Sequence, residues 1–163
     1  VHGCLADRQE EARAGVYRDR ILRGNEFYST RKLGAFGADL SAVAAFFEQP
    51  WSRVSAGLSA AYQAWLLNEA AYSLRALGRL TEALQPMRAG LEMRVQQQNW
   101  KNAAISASNL SQLQVSLGLL DAGVKDGQQA VEYADRSGDA FQRLVNRATA
   151  ADALLQRQRP GTG

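Results

Sequence analysis

The phrase Leu77-Gly78-Arg79-Leu80-Thr81-Glu82-Ala83-Leu84 returns forty residues later, in weaker form, as Leu117-Gly118-Leu119-Leu120-Asp121-Ala122-Gly123-Val124. In the first copy a helical run (Trp65, Leu66, Ala70, Leu74, Leu77) stops at the glycine, and a second run (Leu80, Leu84, Met87, Leu91) resumes within a few residues. Apolar spacings of three and four on both arms describe an antiparallel helix hairpin. A two-helix unit cannot bury its apolar face alone, so its recurrence implies neighbours that cover it: an all-α fold of stacked hairpins, an alpha solenoid. About seven helices are expected in the 163 residues.

Taken in order, residues 5–23 read as an amphipathic helix, with Leu5, Ala12, Val16 and Ile21 or Leu22 on one side and a stop at Gly24-Asn25. Residues 26–49 are less regular. Ser29 or Thr30 is a candidate cap, Gly34 and Gly37 suit a close crossing, and from Asp39 the run Leu40, Val43, Phe46, Phe47 is helical until Pro50. Residues 1–50 thus form an irregular N-terminal helix pair, and 51–58 a linker on which Trp51 folds back over an apolar seam. Repeats occupy 59–163. Ser59–Leu77 is the first helix and Leu80 to about Gln97 its partner, with Thr81 as a cap candidate and a bend expected at Pro86. Asn99 caps Trp100–Leu117, and Asp121 opens a helix to about Arg136 in which Gly123, Gly127 and Ala130 allow tight crossing. Asp139 caps a last helix from Phe141 to about Arg157, and Pro160–Gly163 is a tail.

Composition narrows the function classes. With 46% hydrophobic residues and a mean hydropathy of −0.31, the chain has the make-up of an ordinary soluble globular protein. No apolar run approaches the roughly 18 residues that cross a membrane, so no membrane partner is expected. One cysteine, Cys4, cannot form an internal disulfide, and one histidine, His2, cannot build a metal site with it; no metal and no cofactor is expected, and a reducing, cytoplasmic setting suits the count. The net charge of +3 comes from 51–103, where Arg53, Arg75, Arg79, Arg88, Arg94 and Lys101 face Glu69, Glu82 and Glu92. These cations are scattered over helix surfaces rather than set in a stripe with aromatics, which disfavours nucleic acid as the partner.

The hairpins resemble the tetratricopeptide repeat (TPR) family. Gly78-Arg79-Leu80-Thr81-Glu82-Ala83 matches that family's turn and the acidic-alanine pair after it, with Gly90 at the later small position. Gly118-Leu119-Leu120-Asp121-Ala122-Gly123 matches with glycine for alanine, and Ala130 fills the later position. The period is forty rather than the family's 34, as in the long-repeat variants of large bacterial regulatory proteins, a source that the excess of arginine (16 against 3 lysines) also suits. The resemblance covers 59–157 and implies a right-handed superhelix whose first helices line a concave groove, closed by a solvating last helix. In that register the groove positions are Trp65, Asn68, Tyr72 and Arg75, then Ile105, Ser108, Asn109 and Gln112. Asparagine and glutamine suit a bound peptide backbone, and Trp and Tyr supply amphipathic contact area. Lysine is absent from these positions, so the carboxylate clamp of the family's chaperone-binding members is not expected.

Catalytic signatures are lacking. Ser29-Thr30-Arg31-Lys32 fits S-x-x-K, but no companion motif follows, and there is no phosphate-binding glycine loop, G-x-S-x-G, H-E-x-x-H or cysteine pair. Asp39 with Glu48, and Asp135 with Asp139, are near in sequence without an apolar pocket to shift them. The sequence therefore points to a non-enzymatic scaffold that binds a protein or peptide. Its alternatives are a self-association (oligomerisation) module, whose apolar ends stack on another copy, and a nucleic-acid-binding helical repeat.

Overall fold

The computed structural model describes residues 13–158, which are mostly helical. His2, Cys4, the first part of the expected 5–23 helix and the tail from Pro160 lie outside the described residues. The chain divides into two compact units, Val1–Ala89 and Gly90–Gly163. The helices are α1 (Phe36–Ala44), α2 (Ala60–Ala76), α3 (Leu80–Gln96), α4 (Trp100–Ser116), α5 (Leu120–Ser137) and α6 (Ala140–Gln158). The unit boundary falls inside α3.

From α2 onward each helix starts twenty residues after the one before it. The forty-residue recurrence in the sequence is two of these helix-plus-turn units. Three of the four turns carry a left-handed glycine: Gly78 (φ +73°), Gly118 (φ +75°) and Gly138 (φ +70°). At the first three turns the chain closes back on the helix end in the same way. Arg79 N–H donates to Leu74 O (2.9 Å), Asn99 N–H to Arg94 O (2.9 Å) and Leu119 N–H to Gln114 O (2.8 Å). Glutamine holds the left-handed place in the α3–α4 turn, as Gln98 at φ +55°. A side chain with a Cβ costs about 1 kcal/mol there. Gln98→Gly is therefore expected to raise the melting temperature by a few degrees, and a scan by circular dichroism showing no rise would refute the strain.

The first helix of each pair also has its own start signal. Ser59 Oγ accepts from Tyr62 N–H, Asn99 Oδ1 from Asn102 N–H (3.3 Å) and Asp139 Oδ1 from Gln142 N–H (2.9 Å). Ahead of α5 stands Leu119, which offers no capping side chain. Thr81 does not precede α3 but sits in its first turn, where Arg79 holds Glu82 through two contacts of 2.8 and 2.7 Å. Pro86 is buried inside α3 and supplies no N–H to the carbonyl of Glu82 one turn back.

The core of the second unit is largely alanine (Ala103, Ala104, Ala107, Ala130, Ala134, Ala153), with Leu110, Leu113 and Val124. Small residues let α5 lie close. A Cβ at Gly123 would stand 2.8 Å from Val115 Cγ2, and one at Gly127 would stand 3.0 Å from Ser111 Oγ and 3.3 Å from Ala150 Cα. Ser111 Oγ donates to Gly123 O across that contact (2.7 Å).

The first unit is less regular before α2. Helix at 13–16 widens into a π turn at Tyr17–Ile21, and Arg23 and Phe27 take left-handed φ values of 54° and 48°. Leu22 is buried while Ile21 and Val16 are exposed. Ser29 and Thr30 cap no helix. They are buried in a second π turn, Tyr28–Lys32, and α1 begins only at Phe36. Helix α1 ends at Ala44, ahead of Pro50, because the chain enters a two-stranded antiparallel ribbon, β1 (Phe47–Gln49) with β2 (Arg53–Val54). Pro50 and Trp51 form its turn, and the Trp51 ring meets Phe47 edge-on at 5.5 Å. The stretch 51–58, expected as a linker, buries Val54 and Leu58.

Candidate functional site

The eight positions expected to line a groove fall into two sets, one in each unit. On α2, Trp65 and Tyr72 are two turns apart and face the segment before the helix. The Trp65 ring lies 5.5 Å from Tyr17, and Tyr72 meets Phe36 edge-on at 5.9 Å. Asn68 and Arg75 are exposed, and Arg75 makes no ion pair among the described residues. Tyr72 keeps 45% of its surface open despite the Phe36 contact. On α4, Gln112 is exposed, Ile105 and Asn109 are half-buried, and Ser108 is buried. Ser108 Oγ and Gln112 Nε2 both reach Thr149 Oγ1 on α6, at 3.2 and 3.4 Å.

A polar cluster missed by the sequence reading lies behind Tyr72 and Trp65. Asp39, in the first turn of α1, is buried and accepts from Tyr17 Oη at 2.6 Å and from Ser29 Oγ at 2.8 Å. Glu69, on α2 between Trp65 and Tyr72, is 2% exposed, and its Oε2 has no hydrogen-bond partner. Burial, and then the charge of Asp39, push the Glu69 carboxyl up to about 7; the Asn68 amide and Arg31 offset part of that. Burial foremost, then the bond to Asp39, drive the Tyr17 hydroxyl far above its ordinary value. Asp39 and Glu48, near in sequence, make separate contacts. Glu48 turns outward to Arg53 (2.8 Å), and the true neighbour of Asp39 is thirty residues away. The serine of the S-x-x-K match is a donor to Asp39, while Lys32 is exposed.

In the second unit the half-buried Arg94 guanidinium donates to Ser106 Oγ, and burial lowers its pKa. Gln114 Oε1 and both amide atoms of Asn146 are buried without hydrogen-bond partners. Trp100 stacks on Tyr133 (6.0 Å between centroids), with Arg136 over its ring. Asp135 holds Arg143 and Arg147 at 3.2 and 3.0 Å, while Asp139 binds Lys101 at 2.7 Å. The Lys101 hydrogen bond keeps the Asp139 carboxyl below the usual carboxylate range.

Among the described residues no group of three or more His, Cys, Asp or Glu side chains could hold a metal ion, and no helix is long and apolar enough to cross a membrane. What the exposed α2 and α4 positions offer is hydrogen bonding and aromatic contact. In comparisons with protein-family models, curated proteins and solved structures, no match to this chain was found.

Proposed function

We propose that this chain is a protein-interaction scaffold in which the first helices of the hairpins, α2 and α4, take up a peptide or partner domain. The reading follows the tetratricopeptide pattern, a right-handed superhelix with a concave groove, and includes the cytoplasmic setting of a larger bacterial regulatory protein. One observation carries it: Asn68, Tyr72 and Arg75 on α2, and Gln112 on α4, stand at the surface of a regularly repeated helix scaffold. A half-open tyrosine beside an uncommitted guanidinium and an amide combines apolar area with directional donors, the mixture typical of interface anchors. Within α2 the helix holds Asn68, Tyr72 and Arg75 at fixed spacings, so rather little ordering entropy opposes binding there.

The test compares immobilised wild type with Tyr72→Ala/Asn109→Ala and with Arg75→Ala, after circular dichroism has verified that each is folded. Proteins captured from a lysate are quantified by mass spectrometry, and the leading one is titrated in purified form. A loss of tenfold or more in affinity, worth about 1.4 kcal/mol, is the expected result. Equal affinity in all three proteins would place binding elsewhere.

A further inference from the structure

Four side chains of α2, Tyr62, Trp65, Glu69 and Tyr72, follow one another at spacings of three, four and three and so share one face of the helix. Residues ahead of the β1–β2 ribbon lie against that face. The Arg18 guanidinium stands over the Tyr62 ring (5.5 Å), and the Tyr17 ring is 5.5 Å from Trp65. Phe36 meets Tyr72 edge-on at 5.9 Å, and Glu69 feels the charge of Asp39. Two of these side chains, Trp65 and Tyr72, are positions expected to take a partner. We propose that residues 17–44 are a strap over the partner-binding face of α2, and that loss of the Glu69 proton loosens it. Partner binding by α2, proposed above, gives the strap its role, but its opening can be measured with no partner present.

The arrangement of the two carboxyl groups supplies the trigger. Asp39 accepts from Tyr17 Oη (2.6 Å) and Ser29 Oγ (2.8 Å), so both of these strap donors are taken. Glu69 is 2% exposed, and its Oε2 has no donor. An ionised Glu69 would stand desolvated beside a second carboxylate, and each of these penalties favours the protonated form. Nearby cations compensate only in part. Arg31 of the second π turn acts on the carboxyl from an exposed position over the Phe27 ring, and Arg53 of β2 is held by Glu48. Once the proton is lost, water is the remaining means of solvating Glu69. Admitting it means moving the strap residues that act on this carboxyl, Tyr17 and Asp39.

The strap is also the least regular backbone of the first unit. It contains two π turns, Tyr17–Ile21 and Tyr28–Lys32, and between them Arg23 (φ 54°) and Phe27 (φ 48°) lie in the left-handed region, where a side chain with a Cβ is strained. Helix α2, by contrast, is 17 residues long and capped by Ser59. A strained segment beside a regular helix is suited to open by itself, ahead of the unit as a whole.

Hydrogen exchange of the full chain, read by mass spectrometry at pH 5.5 and 8.5 as protection factors, tests this. At pH 8.5 the amides of 28–44 are expected to be protected at least about tenfold less than those of 66–74 in α2. With the Glu69 carboxyl at about 7 when closed and 4.5 when open, strap opening should become about thirtyfold more favourable between the two pH values. In Glu69→Gln, verified as folded by circular dichroism, that change should vanish. Equal protection of 28–44 and α2 would overturn the proposal, because the segment would then open only with the whole unit. So would a strap protection in wild type that is the same at both pH values, or an equal fall in Glu69→Gln. The exchange result does not depend on partner capture by Tyr72 and Arg75, so loss of one leaves the other standing.

Discussion

Gly127→Val is expected to destabilise the second unit by about 3 kcal/mol and to lower its melting temperature by roughly 10–20 °C. The position is closed from two sides. A Cβ there meets Ser111 Oγ at 3.0 Å from α4 and Ala150 Cα at 3.3 Å from α6. The second contact is backbone and cannot rotate away, so α5 itself must move. Moving it strains the bond from Ser111 Oγ to Gly123 O, and an unpaired buried hydroxyl adds about 1–3 kcal/mol. Gly127→Ala makes a sharper control. Alanine gains about 1 kcal/mol of helix propensity against a few tenths of an ångström of overlap, so its effect should be small. Thermal scans followed by circular dichroism decide the matter: if Gly127→Val melts within a few degrees of wild type, the close approach of α4, α5 and α6 is wrong.

Raising the pH should weaken the first unit through Glu69. Its folded pKa of about 7 lies above the ordinary value of 4.5, so the folded state holds a proton that the unfolded chain releases. The associated stability is fully present below pH 4.5, declines as pH rises and is gone above 7. At 1.36 kcal/mol per pH unit, the decline amounts to about 3 kcal/mol. Glu69→Gln keeps the shape and removes the titration. It should therefore be close to wild type at pH 4.5 and more stable by about 2–3 kcal/mol at pH 8. The charged and titratable groups facing this carboxyl are Asp39 from α1, Tyr17 from the first π turn and Arg31 from the second. Urea unfolding at the two pH values reads the difference directly. Parallel pH profiles for wild type and Glu69→Gln would remove Glu69 as the cause.

The repeated part of the fold was legible because its signals are local. Gly78, Gly118 and Gly138 mark left-handed turns, Asn99 and Asp139 mark helix starts, and the leucines between them keep helical spacing. The helix bounds from α2 onward accordingly fall within a residue or two of those expected. The twenty-residue unit was partly hidden because glutamine stands at 98, where the other turns have glycine. Before α2 the local signals conflict. Ser29 and Thr30 look like caps, yet their place is set by Asp39 and by burial, contacts that no window of sequence contains. The ribbon at 47–54 was missed for a similar reason, since three- and two-residue strands leave almost no periodic trace.

The site divides along the same line. Which side chains stand on the first helices follows from the turn register, and Asn68, Arg75 and Gln112 are exposed there. How open each one is depends on its neighbours. Ser108 closes against Thr149, and Tyr72 leans on Phe36. By itself, then, the sequence determined the helices, their turns and their repeat, because a cap or a left-handed glycine acts within four or five residues. Only the tertiary structure decided that Asp39 and Glu69 share a buried site and that Phe141, Leu144 and Leu155 of α6 are exposed. Burial and the charge of a distant carboxylate arise only when segments far apart in the chain are packed together.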